Sequence, residues 1–228
     1  ENEFICSYSR GAGPCAVDVD IAMARSLDGG VTWAQEGSVY DGSEDDRVFS
    51  YLDGTLSMMG DGTIVMIAMR IDRTDPHLPY VSETGGLLEN EPVLFFSNDA
   101  GRTWTAPLPI RLPQGFVATP TNPVIELEDG RWFASFDRWH GYHEPRPTGP
   151  YKNRMFGLFS DDRGRTWTDM VVMADGEPDG LDFWHGKTIR LTDDRLFTLY
   201  QAADMKNERN ERIFLPLHVA YADSDGRN

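Results

Sequence analysis

Basic residues, cysteines and long apolar runs are scarce in this chain. Of its 228 residues, 21 are Lys or Arg and 37 are Asp or Glu, so the formal net charge is −16. This shortage of positive charge argues against nucleic acid as a partner, because phosphate binding needs a net basic surface. No run of about 18 apolar residues exists, so we expect neither a transmembrane helix nor a membrane partner.

The only two cysteines, Cys6 and Cys15, leave the cellular compartment open. A disulfide between them and a pair of free thiols are both compatible with their spacing. The chain shows no signal peptide and does not begin with Met, so we expect the natural protein to start further upstream.

Helical periodicity is also scarce. Apolar and aromatic residues come instead in short runs broken by Gly, Asp-Gly and Pro, a pattern typical of β-strands joined by tight turns. The sequence therefore predicts an all-β protein.

One eight-residue pattern, S-x-D-x-G-x-T-W, occurs three times, at Ser26–Trp33, Ser97–Trp104 and Ser160–Trp167, and a decayed fourth copy begins at Ala222. In this octet we expect the Asp carboxylate to accept hydrogen bonds from nearby backbone N–H groups and so close a turn. The Gly suits a positive φ, and the Trp is expected to bury its ring. We therefore interpret the octet as a structural device rather than a site.

A second, ten-residue unit precedes each octet and recurs with a period of about 60 to 70 residues, starting at Glu1, Asp61, Asp129 and Asp193. Such a period with four strands per unit is typical of a β-propeller. We predict one domain, residues 1–228, with blades of four antiparallel strands, A to D from the centre outward, at about 1–50, 51–120, 121–185 and 186–228. The first blade is expected to lack strand A and the last strand D, which leaves edges on which a second copy could pair.

Strand alternation places the A–B turns and the octets on one face of the propeller and the B–C and D–A loops on the other. Arg10, Arg70 and Arg138 occupy equivalent positions on this second, loop-rich face. Three converging guanidinium groups would bind a substrate carboxylate or sulfate. The alternative is that each Arg pairs with a carboxylate near its own strand.

Acidic and aromatic side chains on the same face are candidates for catalysis. Glycoside cleavage needs two carboxylates, or a Tyr and a carboxylate, beside one bond, and Asp18, Asp46 and Asp137 are the acids predicted nearest the arginines. His140 is a further substrate-binding candidate, and with His143 forms an H-x-x-H pair that weakly suggests a metal site. Trp184 and His185 are predicted to precede an inner strand at Lys187, where they would stack on a sugar or plug the channel.

The three octets resemble the Asp-box (BNR) repeats of sialidases and related propellers, and the stretch Asp20–Ser26 after Arg10 is similar to the first blade of bacterial exo-sialidases. The resemblance implies a six-bladed propeller of which this chain is a part, an arginine triad for the sialic carboxylate, no cofactor or metal, and a secreted or periplasmic location. In that family a loop Asp of the first blade is the catalytic acid/base. The resemblance places it in residues 11–17, where this chain has no carboxylate, and Asp18 is the nearest substitute.

Three functions follow from these features. The leading hypothesis is a sialidase-like glycoside hydrolase that acts on an acidic or neutral glycan in a pocket opposite the octets. The second is a polysaccharide lyase on the same scaffold, with His140 or Tyr142 as the base. The third is a carbohydrate-binding propeller without turnover.

Overall fold

The computed structural model describes residues 2–13, 15–43, 45–113, 116–145, 154–204 and 213–224. In this part of the chain the regular structure is almost entirely β-strand, with one 3₁₀ turn at Glu177–Asp179. The all-β prediction is thereby confirmed. None of the described helical residues forms a segment long and apolar enough to cross a membrane. Cys6 and Cys15 are both free thiols.

Four antiparallel sheets follow one another along the chain, and we number them blades 1 to 4. Blade 1 contains β1 (Phe4–Arg10), β2 (Asp20–Ser26) and β3 (Ala34–Ser38), and blade 2 contains β4 (Phe49–Met58), β5 (Ile64–Asp72), β6 (Asn90–Ser97) and β7 (Leu108–Pro109). Blade 3 contains β8 (Val117–Pro120), β9 (Ile125–Glu126), β10 (Trp132–Trp139), β11 (Arg154–Ser160) and β12 (Thr168–Asp175). Blade 4 contains β13 (Leu181–Arg190), β14 (Leu196–Asp204), β15 (Ile213–Phe214) and β16 (His218–Ala222).

The inner strands differ most from the prediction. The inner strand of blade 3 begins at Val117, before the predicted start of that blade at residue 121, and is divided into β8 and β9. In blade 4, β13 begins at Leu181, so the prediction that Trp184 and His185 precede the strand is wrong: both lie within it. Turn signals alone misled the prediction for β13, because this strand continues through a β-bulge between Trp184 and Lys187 that resembles a loop in sequence.

The three octets adopt one hydrogen-bond pattern. In the first, Asp28 accepts from the Thr32 backbone N–H at 2.9 Å and from the Thr32 hydroxyl at 2.6 Å, while the Ser26 hydroxyl accepts from the Gly30 N–H at 2.8 Å. The copies at Asp99 and Asp162 repeat these bonds. Hydrogen bonds from Thr32 lower the pKa of Asp28 to about 2. The octet carboxylates are therefore hydrogen-bonded within their own turns.

The second and third octets pack on the preceding blade. Gly164 of the third octet lies so close to blade 2 that an added Cβ would meet Leu94 Cδ1 at 2.7 Å, and Arg163 forms a 2.9 Å ion pair with Asp61. Trp167 packs on the apolar cluster shared by blades 2 and 3. Trp33 of the first octet has no preceding blade in this chain and is 45% exposed, so the expectation that every octet Trp buries its ring is wrong there.

Contacts between octets and A–B turns show that both lie on one face, as predicted. Beside the Arg163–Asp61 pair, the hydroxyl of Thr63 donates to Asn98 of the second octet at 3.1 Å. The A–B turns of blades 3 and 4 contact each other, because the Glu128 N–H donates to Asp194 at 3.1 Å. The long B–C and D–A loops therefore project from the other face. The decayed fourth octet lies mostly in 225–228, outside the described residues.

Candidate functional site

Three adjoining cavities open on the loop-rich face around the inner strands, and Asp53 lines all three. Their volumes are about 510, 380 and 410 Å³. We call them the Arg10 cavity, the Asp137 cavity and the Trp139 cavity, after a residue that lines each. The Asp137 and Trp139 cavities also share Thr119 and His185. Cavities of this size suit small ligands or single units of a polymer.

Bulges in two inner strands direct side chains into these cavities. The register of β4 shifts between Leu52 and Thr55, and that of β13 shifts between Trp184 and Lys187. At the two shifts Asp53 has a φ of 56° and His185 a φ of 51°, unusual values for residues with a side chain. Bulges next to active sites commonly re-aim a side chain in this way.

A glycine follows each of these residues because nothing larger fits. A Cβ on Gly54 would lie 2.8 Å from Ile21 Cδ1 and 2.9 Å from Met66 Sδ, and one on Gly186 would lie 1.6 Å from Met155 Cε. The backbone of each bulge is therefore pressed onto the side chains of the blade core. This contact fixes where the bulges turn, and with them the positions of Asp53 and His185.

Asp137 lies on β10 and is 1% exposed, yet it lines the Asp137 cavity. Its Oδ2 accepts a 2.5 Å hydrogen bond from the His185 backbone N–H, and its Oδ1 has no hydrogen-bond partner among the described residues. Burial raises the pKa of Asp137 to about 7, although the His185 and Gly186 N–H groups and the Lys187 ammonium favour the charged form. This carboxyl group is therefore able to hold a proton near neutral pH.

Asp53 lies in the same cavity in a different environment. Its side chain is exposed to the cavity, and the cavity wall also carries Tyr8, His185 and Lys187. Lys187 is held in place because its ammonium donates a short hydrogen bond to the Thr121 carbonyl oxygen. One buried and one open carboxyl group therefore border a single cavity, an arrangement suited to acid and base roles at neutral pH.

The three arginines predicted as an anion clamp do not converge on these cavities. Arg10 bonds to Asp20 at 2.6 Å and to Ser38 at 2.8 Å, and Arg70 bonds to Glu91 at 2.5 Å; both acids lie directly opposite on the neighbouring strand. Arg10 and Arg70 therefore follow the alternative prediction, in which each Arg pairs with a carboxylate near its own strand.

Arg138 instead lies over the ring of Phe116, 4.4 Å from its centroid. We refer to the Arg10, Asp137 and Trp139 cavities together as the axial cavities. Of the three arginines, only Arg10 is among the described residues that line them.

The remaining predicted site residues lie elsewhere. Asp18 closes its own loop by accepting from the Ala12 N–H at 3.1 Å, and Asp46 is exposed in the loop before β4. His140 is buried and pairs with Glu144 at 2.9 Å. Trp184 is buried, with its ring 6.0 Å from that of Phe214. Asp137, His185 and Arg10 line the axial cavities, whereas Asp18, Asp46, Arg70, Arg138, His140 and Trp184 are not among the described lining residues.

Sequence reasoning missed Asp53, Lys187 and Tyr80, which also line the cavities. A signal was present, because Asp53-Gly54 and His185-Gly186 occur at equivalent places in two inner strands, and glycine within a strand marks a bulge or a close approach. Burial raises the pKa of the Tyr80 phenol, so this residue serves as a neutral wall rather than a base.

No group of three or more His, Cys, Asp or Glu side chains in the described part of the chain is arranged to hold a metal ion. His140 contacts Glu144, while the ring of His143 contacts Tyr142. The H-x-x-H pair therefore does not form part of a ligand set among these residues.

Comparison with known proteins identifies the fold but no family. No family model and no curated protein matches the chain. A Dyadobacter fermentans protein of unknown function matches with a TM-score of 0.72 and 18% identity over 99% of this chain and 64% of its own. The Hadza microbial sialidase Hz136 matches with a TM-score of 0.70 and 16% identity over 100% of this chain and 43% of its own.

The Penicillium chrysogenum α-L-arabinanase, solved with arabinobiose, matches with a TM-score of 0.66 and 18% identity over 96% of this chain and 59% of its own. The chain thus spans about half of the length of the structures it resembles. The similarity supports the β-propeller fold, which serves enzymes for different sugars, so the choice of function depends on the site.

Proposed function

We propose that this chain carries the site of a glycoside hydrolase that cleaves a neutral glycan in the Asp137 cavity. The observation that carries the proposal is that Asp137 and Asp53 line one cavity while their environments differ. The structural neighbours include a sialidase and an arabinanase, so hydrolysis of glycosidic bonds is compatible with the fold. The activity is proposed for the protein that contains this chain.

Each carboxyl group has a distinct role in the proposed reaction. Asp137, protonated near neutral pH because it is buried, donates its proton to the oxygen of the glycosidic bond as that bond breaks. Asp53, exposed to the cavity, either attacks the anomeric carbon or takes a proton from the attacking water. Water supplies the new hydroxyl group, so the products are two sugars with free hydroxyls.

A neutral substrate is favoured over a sialoside by the state of the arginines. Arg10 and Arg70 are neutralised by Asp20 and Glu91, and Arg138 lies on Phe116. A carboxylate on the substrate would therefore meet Lys187 and His185 but no converging guanidinium groups, and it would lie beside Asp53. Two like charges in one cavity repel, which disfavours an acidic sugar there.

The test compares Asp137→Asn and Asp53→Asn with Asp18→Asn and Asp46→Asn on methyl glycosides of neutral sugars, on activated nitrophenyl glycosides of the same sugars and on an aryl sialoside. We expect the first two variants to lose about 10²–10⁴-fold in turnover and the two control variants to keep it. Asp137→Asn should retain activity on substrates with an activated leaving group, because such groups need no proton. Full turnover of the methyl glycosides by Asp137→Asn, or cleavage of the sialoside alone, contradicts the proposal.

The lyase hypothesis is an outcome of the same assay. Its predicted bases, His140 and Tyr142, are not among the described residues that line the axial cavities, so it would depend on His185 beside Lys187. A product with an unsaturated uronate would establish the lyase and exclude the hydrolase. Binding without any product would favour the non-catalytic hypothesis.

A further inference from the structure

We propose that Trp139 is the stacking platform of a second sugar subsite beside Asp53 and Asp137. The substrate is then an oligosaccharide of neutral sugars with one unit in the Asp137 cavity and the next in the Trp139 cavity. This inference rests on the proposed hydrolase function for turnover, but the binding it describes can be measured without turnover. It also replaces Trp184, the aromatic residue predicted from the sequence to stack on a sugar.

The indole of Trp139 is held in a fixed orientation. Its Nε1–H donates a 2.9 Å hydrogen bond to the Thr119 hydroxyl, and its ring makes an edge contact with His185 at a centroid distance of 6.3 Å. The polar edge of the ring is thus satisfied, while the half-buried ring lines a cavity of about 410 Å³. An aromatic side chain fixed in this way contacts a ligand with little further loss of conformational freedom.

The wall around the ring suits the apolar face of a sugar. Val81 and Leu87 provide aliphatic surface, while Asp53 and His185 provide polar atoms where this cavity meets the Asp137 cavity. The C–H groups on one face of a sugar ring carry partial positive charge, and the face of an aromatic ring is negative. A sugar on Trp139 therefore has its hydroxyl groups free to reach the polar end of the cavity.

The cavity is built by contacts between two blades. The B–C loop of blade 2 crosses to blade 3, where the Leu87 N–H donates to the His140 carbonyl oxygen at 2.9 Å. At Gly86 a Cβ would lie 2.2 Å from the Gly141 carbonyl oxygen, so the two loops approach as closely as backbones can. This contact holds Leu87, and with it part of the cavity wall, in place.

Shared residues connect the two subsites. Asp53, Thr119 and His185 line both cavities, and Trp139 follows Asp137 on the same strand, β10, two positions further along. A glycan that stacks on Trp139 therefore places its neighbouring unit at the two carboxyl groups. We infer that binding strengthens when a second sugar is added to the ligand.

The experiment measures binding in the Asp137→Asn background, which suppresses cleavage. Gluco-, xylo-, galacto- and arabino-oligosaccharides, from monosaccharide to hexasaccharide, are titrated by calorimetry. We expect at least one series to bind about tenfold more tightly as a disaccharide or longer than as a monosaccharide. Adding Trp139→Ala should remove this gain, whereas Trp139→Phe should keep most of it.

Trp33→Ala is the matched control, because Trp33 is exposed on the octet face and should leave every affinity unchanged. The proposal is overturned if no series binds, or if Trp139→Ala binds the oligosaccharides as tightly as its parent. The proposed subsite and the proposed hydrolase activity can be contradicted independently of each other. If binding depends on Trp139 but the unaltered protein cleaves nothing, the subsite is supported and the hydrolase is excluded. If Trp139→Ala cleaves with an unchanged KM, the hydrolase is supported and the subsite is excluded.

Discussion

The Oδ2 atom of Asp137 in blade 3 accepts a 2.5 Å hydrogen bond from the backbone N–H of His185 in blade 4. The donor N–H is available because His185 lies at the bulge of β13, where the strand register is interrupted. A carboxyl group of one blade is thus positioned by the irregular strand of the next. This contact positions the carboxyl group, while burial raises its pKa.

The pH dependence of stability should change in Asp137→Asn. Burial raises the pKa of Asp137 from 3.8 to about 7, so the folded state binds more protons than the unfolded state between these values. The free energy of unfolding attributable to this group therefore falls as the pH rises from about 4 to about 7. Asn does not titrate, so the variant should gain stability relative to the wild type across that window.

Urea unfolding at a series of pH values measures this difference. Asp18→Asn is the control, because Asp18 is exposed and contacts only its own loop. Parallel pH profiles for Asp137→Asn and the wild type would show that Asp137 is ionised throughout.

Gly186→Ala should disturb the bulge. The added Cβ would lie 1.6 Å from Met155 Cε, so the strand or the methionine must move. We expect a loss of about 1–3 kcal/mol in the free energy of unfolding and a lower turnover, because His185 moves away from Asp137. Gly13→Ala, where nothing lies within 4 Å of the new Cβ, should change stability little. Equal effects of the two substitutions on chemical denaturation would argue against a packed bulge.

Arg70→Ala distinguishes an anion clamp from a structural ion pair. Arg70 bonds to Glu91, lies 4.6 Å from the Phe49 ring centroid and is mostly buried, so its removal should cost about 0.5–3 kcal/mol of stability. Turnover should stay within about twofold of the wild type. Thermal unfolding and steady-state kinetics measure the two effects. A large rise in KM for an anionic substrate, with stability unchanged, would instead support the clamp predicted from the sequence.

The octet tryptophans should differ in their contribution to stability. Trp167→Ala removes a ring packed on the cluster between blades 2 and 3 and should cost about 2–4 kcal/mol. Trp33→Ala removes a ring that is 45% exposed and should cost less than about 1 kcal/mol. Denaturant midpoints of the two variants provide the comparison, and equal midpoints would mean that Trp33 is covered in solution.

Much of the architecture follows from local pattern. The octets at Ser26, Ser97 and Ser160 combine residues whose turn chemistry requires no distant partner, so their positions and their shared face are predictable. The middle strands of each blade are also predictable, because their apolar runs stand between clear turn signals. The inner strands are less predictable. In β13 the pair His185-Gly186 resembles a loop in sequence, although β13 pairs with β14 on both sides of it.

The residues of the candidate site were also only partly predictable from the sequence. Asp137, His185 and Arg10 were predicted from the sequence because the turn signals placed them near strand ends on the loop-rich face, although His185 lies within β13. Asp53 was missed and Asp18 preferred because a sequence shows which residues are near a face but not which way a side chain points. That direction depends on whether each strand is regular or bulged.

The amino-acid sequence by itself determined the strand periodicity, the octet turns and the face from which the long loops project, because these depend on interactions within a few residues. Only the tertiary structure decided that Arg10 and Arg70 pair within their own sheets, that Asp137 is buried beneath His185, and that Asp53 stands where three cavities meet. These relationships join residues of different strands and blades, and the packing of the blades around the axis sets their burial and charge.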